Sequence, residues 1–274
     1  MLTKTRRESD KMQVMNPTPS RVGADTATPR RAGIKTPWMV AGLAAACGLA
    51  ALAAGPGYRF GWWGLGAGLQ TMRWAATAAA VVLVLALLST AMAYRAQTRR
   101  GIAICLAAAL LSLLISAPPA FLWLRTRGLP PIHDVSTDTG NPPRYVAVLQ
   151  LRKGARNSSD YNPAAAVQQR LGYPDIGPAD LAVPAAQAFQ SAERVARAMG
   201  WSIVADVPAE LRIEATATTL LFGFKDDIVI RVSPTGAGSR VDMRSLSRIG
   251  GGDFGTNASR IRAFINRLRA DAAG

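Results

Sequence analysis

The chain has a single histidine, and it stands beside an aspartate: Ile132-His133-Asp134, with Asp138 four residues on. A His next to carboxylates can shuttle protons or ligate a cation. A metal centre needs three or four ligands brought together by the fold, and no second His is there to contribute. The plainer alternative is a loop His whose neighbouring Asp bonds locally. A second candidate is Gly250-Gly251-Gly252 with Gly255, Thr256 and Asn257, a glycine-rich stretch opening the last helix. Helix N-termini hold anions through free N–H groups. Arg244, Arg248 and Arg260 could complete a phosphate or headgroup site. Asp253 opposes this with its own charge, and an ordinary N-cap is the competing reading. A third candidate is one face of a sheet carrying Glu214, Thr216, Thr218, Arg231, Asp242 and Arg244. Opposite charges on neighbouring strands pair across such a face, which could dock a ligand or simply stand in water.

Catalytic motifs are missing from the sequence: no Gly-x-Ser-x-Gly, P-loop, dinucleotide fingerprint or His-Glu-x-x-His occurs. Asp253-Phe254-Gly255 spells a kinase triplet without the rest of the kinase set. We therefore assign no catalytic residue, metal or cofactor. The candidate binding residues are His133, Asp134, Arg231, Asp242, Arg244, Arg248, Asn257 and Arg260.

The elements that must position these residues divide the chain in two. Of 274 residues, 32 are Lys or Arg and 17 are Asp or Glu, a net charge of +15. Residues 1–128 hold 15 of the basic and 3 of the acidic residues, so +12 lies there and +3 in the rest. A pI of 11.1 would ordinarily point to nucleic acid. Here the basic residues flank apolar runs, which points to a membrane and away from nucleic acid. The runs cover about 38–54, 72–94 and 101–124, and a spanning helix needs about 20 apolar residues. The first is short and is expected to stop at Gly55-Pro56-Gly57; Pro118 and Pro119 are expected to kink or shorten the third. Trp38, Trp62, Trp63, Trp74 and Trp123 fall at run ends or between runs, as in an aromatic belt. Eight basic residues in the tail, with Arg95, Arg99 and Arg100 in the second loop, place both on the cytoplasmic side. Residues 1–36 read as a disordered basic cytoplasmic tail, 37–127 as a three-helix anchor and 128–274 as an extracytoplasmic domain. A cleaved leader is the lesser alternative, because the charged region before the first run is too long. The spans carry no Asp, Glu, Lys or His, which argues for an anchor over an ion pathway. Their Ala- and Gly-rich faces suit close helix packing, within the chain or with a partner.

The outer domain reads as α+β. Asn162-Pro163 starts a short helix, and residues 184–199 form a firm one with apolar residues at helical spacing. Four strands follow, over 201–206, 211–220, 226–233 and 240–247, and a last helix runs over 257–270. This predicts a two-layer domain: a four-stranded antiparallel sheet packed by helices on one face and polar on the other. Residues 129–145 and 173–183 read as loop.

Ile132 to Asp138, Asn141-Pro142-Pro143, Tyr173-Pro174-Asp175-Ile176, Met199-Gly200-Trp201 and Ile213 to Thr216 make up one half of a longer pattern. Phe222 to Asp227, Ser239 to Asp242, Arg244-Ser245, Ser247-Arg248 and Asn257 to Phe264 complete it. Together they resemble the bacterial family labelled domain of unknown function 1499. The resemblance implies an envelope-associated α+β domain and supplies no reaction. Leu220-Leu221 departs from it, since an aromatic is expected before Phe222; the effect should be on packing alone. The sequence thus leads to a multi-pass protein of the bacterial inner membrane, with a non-enzymatic binding or scaffolding domain on the periplasmic or outer side. Its expected partners are membrane lipid and an envelope protein or anionic ligand. The alternatives are a hydrolase or lipid-modifying enzyme using His133, and an accessory subunit whose spans bind another membrane protein.

Overall fold

A computed structural model describes residues 35–273. The tail, apart from its last two residues, lies outside the described residues. Three apolar helices come first: α1 (Lys35–Arg59), α2 (Leu65–Arg95) and α3 (Arg99–Thr126). Each is long and apolar enough to cross a membrane. They pack on one another through small side chains, with Ala44, Ala79, Ala86 and Ala108 buried between them. Leu85, Leu88, Leu110 and Leu114 point outward. That is the arrangement expected where lipid replaces water as the solvent. The Ala-rich faces are therefore used inside the bundle. All three helices outrun their sequence-read spans. α1 continues past Gly55-Pro56-Gly57 to Arg59, and α3 continues through Pro118 and Pro119. A proline's fixed φ suits a helix; it costs a hydrogen bond and does not force a stop.

The second part holds β1 (Asp134–Ser136), a 3-10 helix (Ala147–Arg152), α4 (Pro163–Gly172), β2 (Ala179–Leu181) and α5 (Ala185–Ala198). Then come β3 (Ser202–Val207), β4 (Arg212–Thr218), β5 (Lys225–Thr235), β6 (Gly238–Ser247) and α6 (Thr256–Ala273). The sheet has six antiparallel strands in the order β1-β6-β5-β4-β3, with β2 also paired to β6. Four were expected. The two extra strands come from segments read as loop, because three residues are too few to show alternation. Both lie along the outer edge of β6 and cover its hydrogen-bonding groups.

Alternation along the strands sends Ile213, Ala215, Ile228, Ile230, Val241 and Met243 to the helix side. There they meet Phe189, Ala192 and Val195 of α5 and Ile261, Phe264 and Leu268 of α6. Trp201 stacks on Phe264 with ring centroids 5.6 Å apart. The opposite face is not open to water. Residues 143–159 cross it, and Tyr145 and Val148 bury a small apolar patch with Val229 and Leu246.

The domain rests on the α1–α2 turn. The β4–β5 loop brings Leu221 against Gly55, where a Cβ would come within 2.5 Å of the Leu221 carbonyl oxygen. It also brings Phe222 to Gly68, where a Cβ would lie 2.9 Å from the Ala54 carbonyl oxygen. Glycine at both positions permits the close approach.

Candidate functional site

The covered face is held by carboxylates buried away from the surface. Glu214, fully buried on β4, accepts hydrogen bonds from the backbone N–H groups of Val146, Ala147 and Val148 at 2.9–3.1 Å, and pairs with Arg212. It caps the 3-10 helix, so an internal anion fills that helix N-terminus. Asp227, also fully buried, takes Arg152 at 2.5 Å, Arg248 at 2.8 and 2.9 Å, and the Thr216 hydroxyl at 2.9 Å. Arg248 reaches on to the Leu151 carbonyl and Arg152 to that of Asn157. These bonds tie the crossing segment to the sheet.

Asp242 accepts from Arg231 at 3.0 Å, Arg240 at 3.1 Å and the Thr137 hydroxyl at 3.1 Å. Asp138 joins the same cluster through Arg231 at 3.2 Å. Burial pushes the Asp138 pKa up. The N–H groups of Asn141 and Gly140, then the Arg231 and Arg240 guanidiniums, outweigh burial and hold it below the usual carboxylate value. A depressed folded pKa stabilises fully above the unfolded value of about 4 and fades as pH falls through the folded one. Hydrogen-exchange protection of the Gly140 and Asn141 amides should therefore hold down to about pH 4 and drop below it. Protection lost between neutrality and that pH would contradict this role for Asp138.

The remaining candidates separate. Asp134 receives both arms of Arg244, at 2.9 and 2.7 Å, on the covered face. His133 stands just before β1, and no hydrogen bond joins its ring to Asp134 among the described residues. Its carbonyl continues the ladder by accepting from the Ser247 N–H at 2.9 Å and the Asn257 amide at 3.0 Å. The two form no dyad. The glycine-rich loop is not an open anion site either. Asp253 accepts from the Gly255 and Asn257 N–H groups at 3.0 and 2.5 Å and caps α6. Burial pushes the Asp253 carboxyl above the usual range. Arg260 is committed to Asp226 at 2.6 Å and Asn257 at 2.6 Å. Thus Arg231, Asp242, Arg244, Arg248, Asn257 and Arg260 all make internal bonds, and the solvated polar face expected from alternation is an interior. Alternation separates two faces; it does not reveal that a distant segment lies across one of them.

What stays open is a cleft of about 460 Å³ at the edge of the cover. Gly140, Asn141, Arg144, Ser159, Asp160 and Tyr161 surround it, with Arg244 and Tyr145 as its floor. The Arg244 guanidinium lies 4.9 Å from the centroid of Tyr145 and 5.2 Å from that of Tyr161, and donates to the Ser159 carbonyl at 2.8 Å. Such cation–π contacts are strongest when desolvated. Burial, then the Asp134 charge, pushes the Tyr161 hydroxyl up to about 12 and that of Tyr145 well above its usual value. The Tyr161 hydroxyl oxygen is buried without an internal partner among the described residues. His133 is not among the residues lining the cleft. Asn141, Arg144, Tyr145 and Tyr161 were missed as site residues, although Asn141 belongs to the quoted pattern. They gather only once the crossing segment folds back.

A family model described as protein of unknown function (DUF1499) matches residues 134–268. The domain belongs to this family. The match runs from the first residue of β1 into α6, so the DUF1499 domain includes every strand and the whole covering segment. No curated protein matches the chain. The cleft, the ion pairs beneath it and both short edge strands all lie inside the DUF1499 domain.

Proposed function

We propose that this is an integral protein of a bacterial inner membrane that holds a binding domain on the outer side, in the cell envelope. Basic residues in the tail and at Arg95, Arg99 and Arg100 favour the cytoplasm for those segments. The domain follows α3 and sits by the α1–α2 turn, at the opposite end of the bundle. The observation that carries the binding reading is a cleft of about 460 Å³ lined by Tyr161, whose buried hydroxyl has no partner among the described residues. A ligand with a hydrogen-bond acceptor would satisfy that hydroxyl, and exposed Arg144 on the rim supplies charge for an acidic group. Binding is favoured over turnover because Asp134 neutralises Arg244 at the floor of the cleft.

Native mass spectrometry of the full chain, extracted from its own membrane, tests this. A retained small polar molecule is expected. Tyr161→Phe, which removes one hydrogen bond, should lower its occupancy about tenfold with no change in melting temperature. A chain that retains nothing, or a variant that retains as much as the parent, would count against the cleft as the site.

A further inference from the structure

A second cleft, of about 430 Å³, lies where the domain meets the helices. Tyr58, Arg59, Thr218, Phe222, Gly223 and Lys225 line it. Two of the six are cationic and none is acidic. The guanidiniums inside the DUF1499 domain contrast with this, since Arg152, Arg231, Arg244, Arg248 and Arg260 each hold a carboxylate. Arg59 instead runs along Gly223, where a Cβ would lie 3.3 Å from its Cγ and Cδ, and points one N–H toward the Leu220 carbonyl at 3.4 Å. Its position is set by backbone, and it pairs with no carboxylate among the described residues. Lys225, which also lines the cleft, is exposed.

The depth of this cleft is fixed by the helices. Arg59 ends α1, and α2 begins at Leu65, so the cleft is level with the end of the apolar bundle. Phe60 and Trp62 are each 68% exposed in the connecting turn, and Leu220 is 91% exposed on the facing loop. Large apolar side chains at a helix–water boundary mark the headgroup layer. In and beside the cleft, Phe222 stacks on Phe224 at 5.1 Å, and Tyr58 lies 6.3 and 6.0 Å from the pair. The cleft thus joins two cations to an aromatic wall at the end of the apolar bundle.

We propose that this cleft binds the phosphate headgroup of an acidic phospholipid. Arg59 and Lys225 face the phosphate oxygens, the Tyr58 hydroxyl is a further donor, and the aromatic wall meets the first acyl carbons. The aliphatic Leu220-Leu221 pair then has two tasks. Leu221 packs on α1 at Gly55, and Leu220 enters the lipid beside the bound headgroup. The inference rests on the helices spanning a bilayer and is independent of the Tyr161 cleft.

The test uses the full chain in mild detergent, with dioleoyl phosphatidylglycerol or dioleoyl phosphatidylcholine added before native mass spectrometry. Phosphatidylglycerol should be retained and phosphatidylcholine lost. Because Arg59 and Lys225 are exposed, the double variant Arg59→Gln/Lys225→Gln should keep its melting temperature and lose about tenfold or more in phosphatidylglycerol retention. Lys225→Arg should retain the lipid as the parent does. Equal retention of both lipids, an unaffected double variant, or displacement of the lipid by millimolar inorganic phosphate would overturn the proposal. Flotation with vesicles after an alkaline wash reports separately on membrane insertion, and all these variants should float.

Discussion

Replacing Asp227 by alanine is expected to destabilise the domain by about 3–5 kcal/mol, because two guanidiniums lose their carboxylate together. Asp227 is fully buried, and Arg152 and Arg248 both end on it. Their further bonds go to carbonyls of the covering segment, at Asn157 and Leu151. Loss of the carboxylate leaves two positive charges between sheet and cover, and the cover is the part free to move. Guanidinium denaturation followed by near-ultraviolet circular dichroism gives the size of the effect. Limited proteolysis should show new cleavage within residues 147–157 before the sheet unfolds. A loss under about 1 kcal/mol would mean that water already reaches this pair, as it does a surface ion pair.

The second large effect is expected at Arg244. Arg244→Ala strands the Asp134 carboxylate and removes the planar group between Tyr145 and Tyr161, so it combines an unpaired charge with a cavity. About 3–5 kcal/mol is expected, a fall of roughly 10 °C in melting temperature for a domain of this size. Removing both charges, as Asp134→Leu with Arg244→Met, should recover most of the loss, since a well-packed apolar pair often equals a buried ion pair. If the double variant is as unstable as Arg244→Ala, the stacking on the tyrosines, and not the charge, is what matters.

The three apolar helices were legible because composition alone marks them. The helix-facing side of the sheet was legible for a similar reason. Ile213, Ile228, Ile230, Val241 and Met243 alternate with polar neighbours, and the helix stripes at Phe189 and Phe264 match them. The polar side of the same strands was harder. Glu214, Asp242 and Arg244 read as an open polar face, for a ligand or for water, because period-two spacing carries no mark of what lies over a face. The compensating signal was present but weak: the charges on that face nearly cancel, as internal pairs must. β1 and β2 were too short to show a pattern. The His133-Asp134 pair misled because Asp134 is taken by Arg244, a partner far away in sequence. The Tyr161 cleft depended on contacts between segments dozens of residues apart, which no local spacing encodes.

The first strand of the sheet has a consequence for synthesis. Asp134 meets Arg244 across 110 positions of sequence, and β1 pairs only with β6. At ribosomal rates of about 5–20 residues per second, β1 waits about 5–20 s for its partner to be made. Glu214, too, arrives long after the segment it caps. The helices emerge first and can insert early, while most of the domain's non-local pairs form only when β6 is complete. Until then the chain outside the ribosome carries unpaired charges and open strand edges. A ribosome stalled just before Ser239 would hold an anchored but unfolded domain, and one stalled far enough beyond Ala273 to release α6 would hold a folded one.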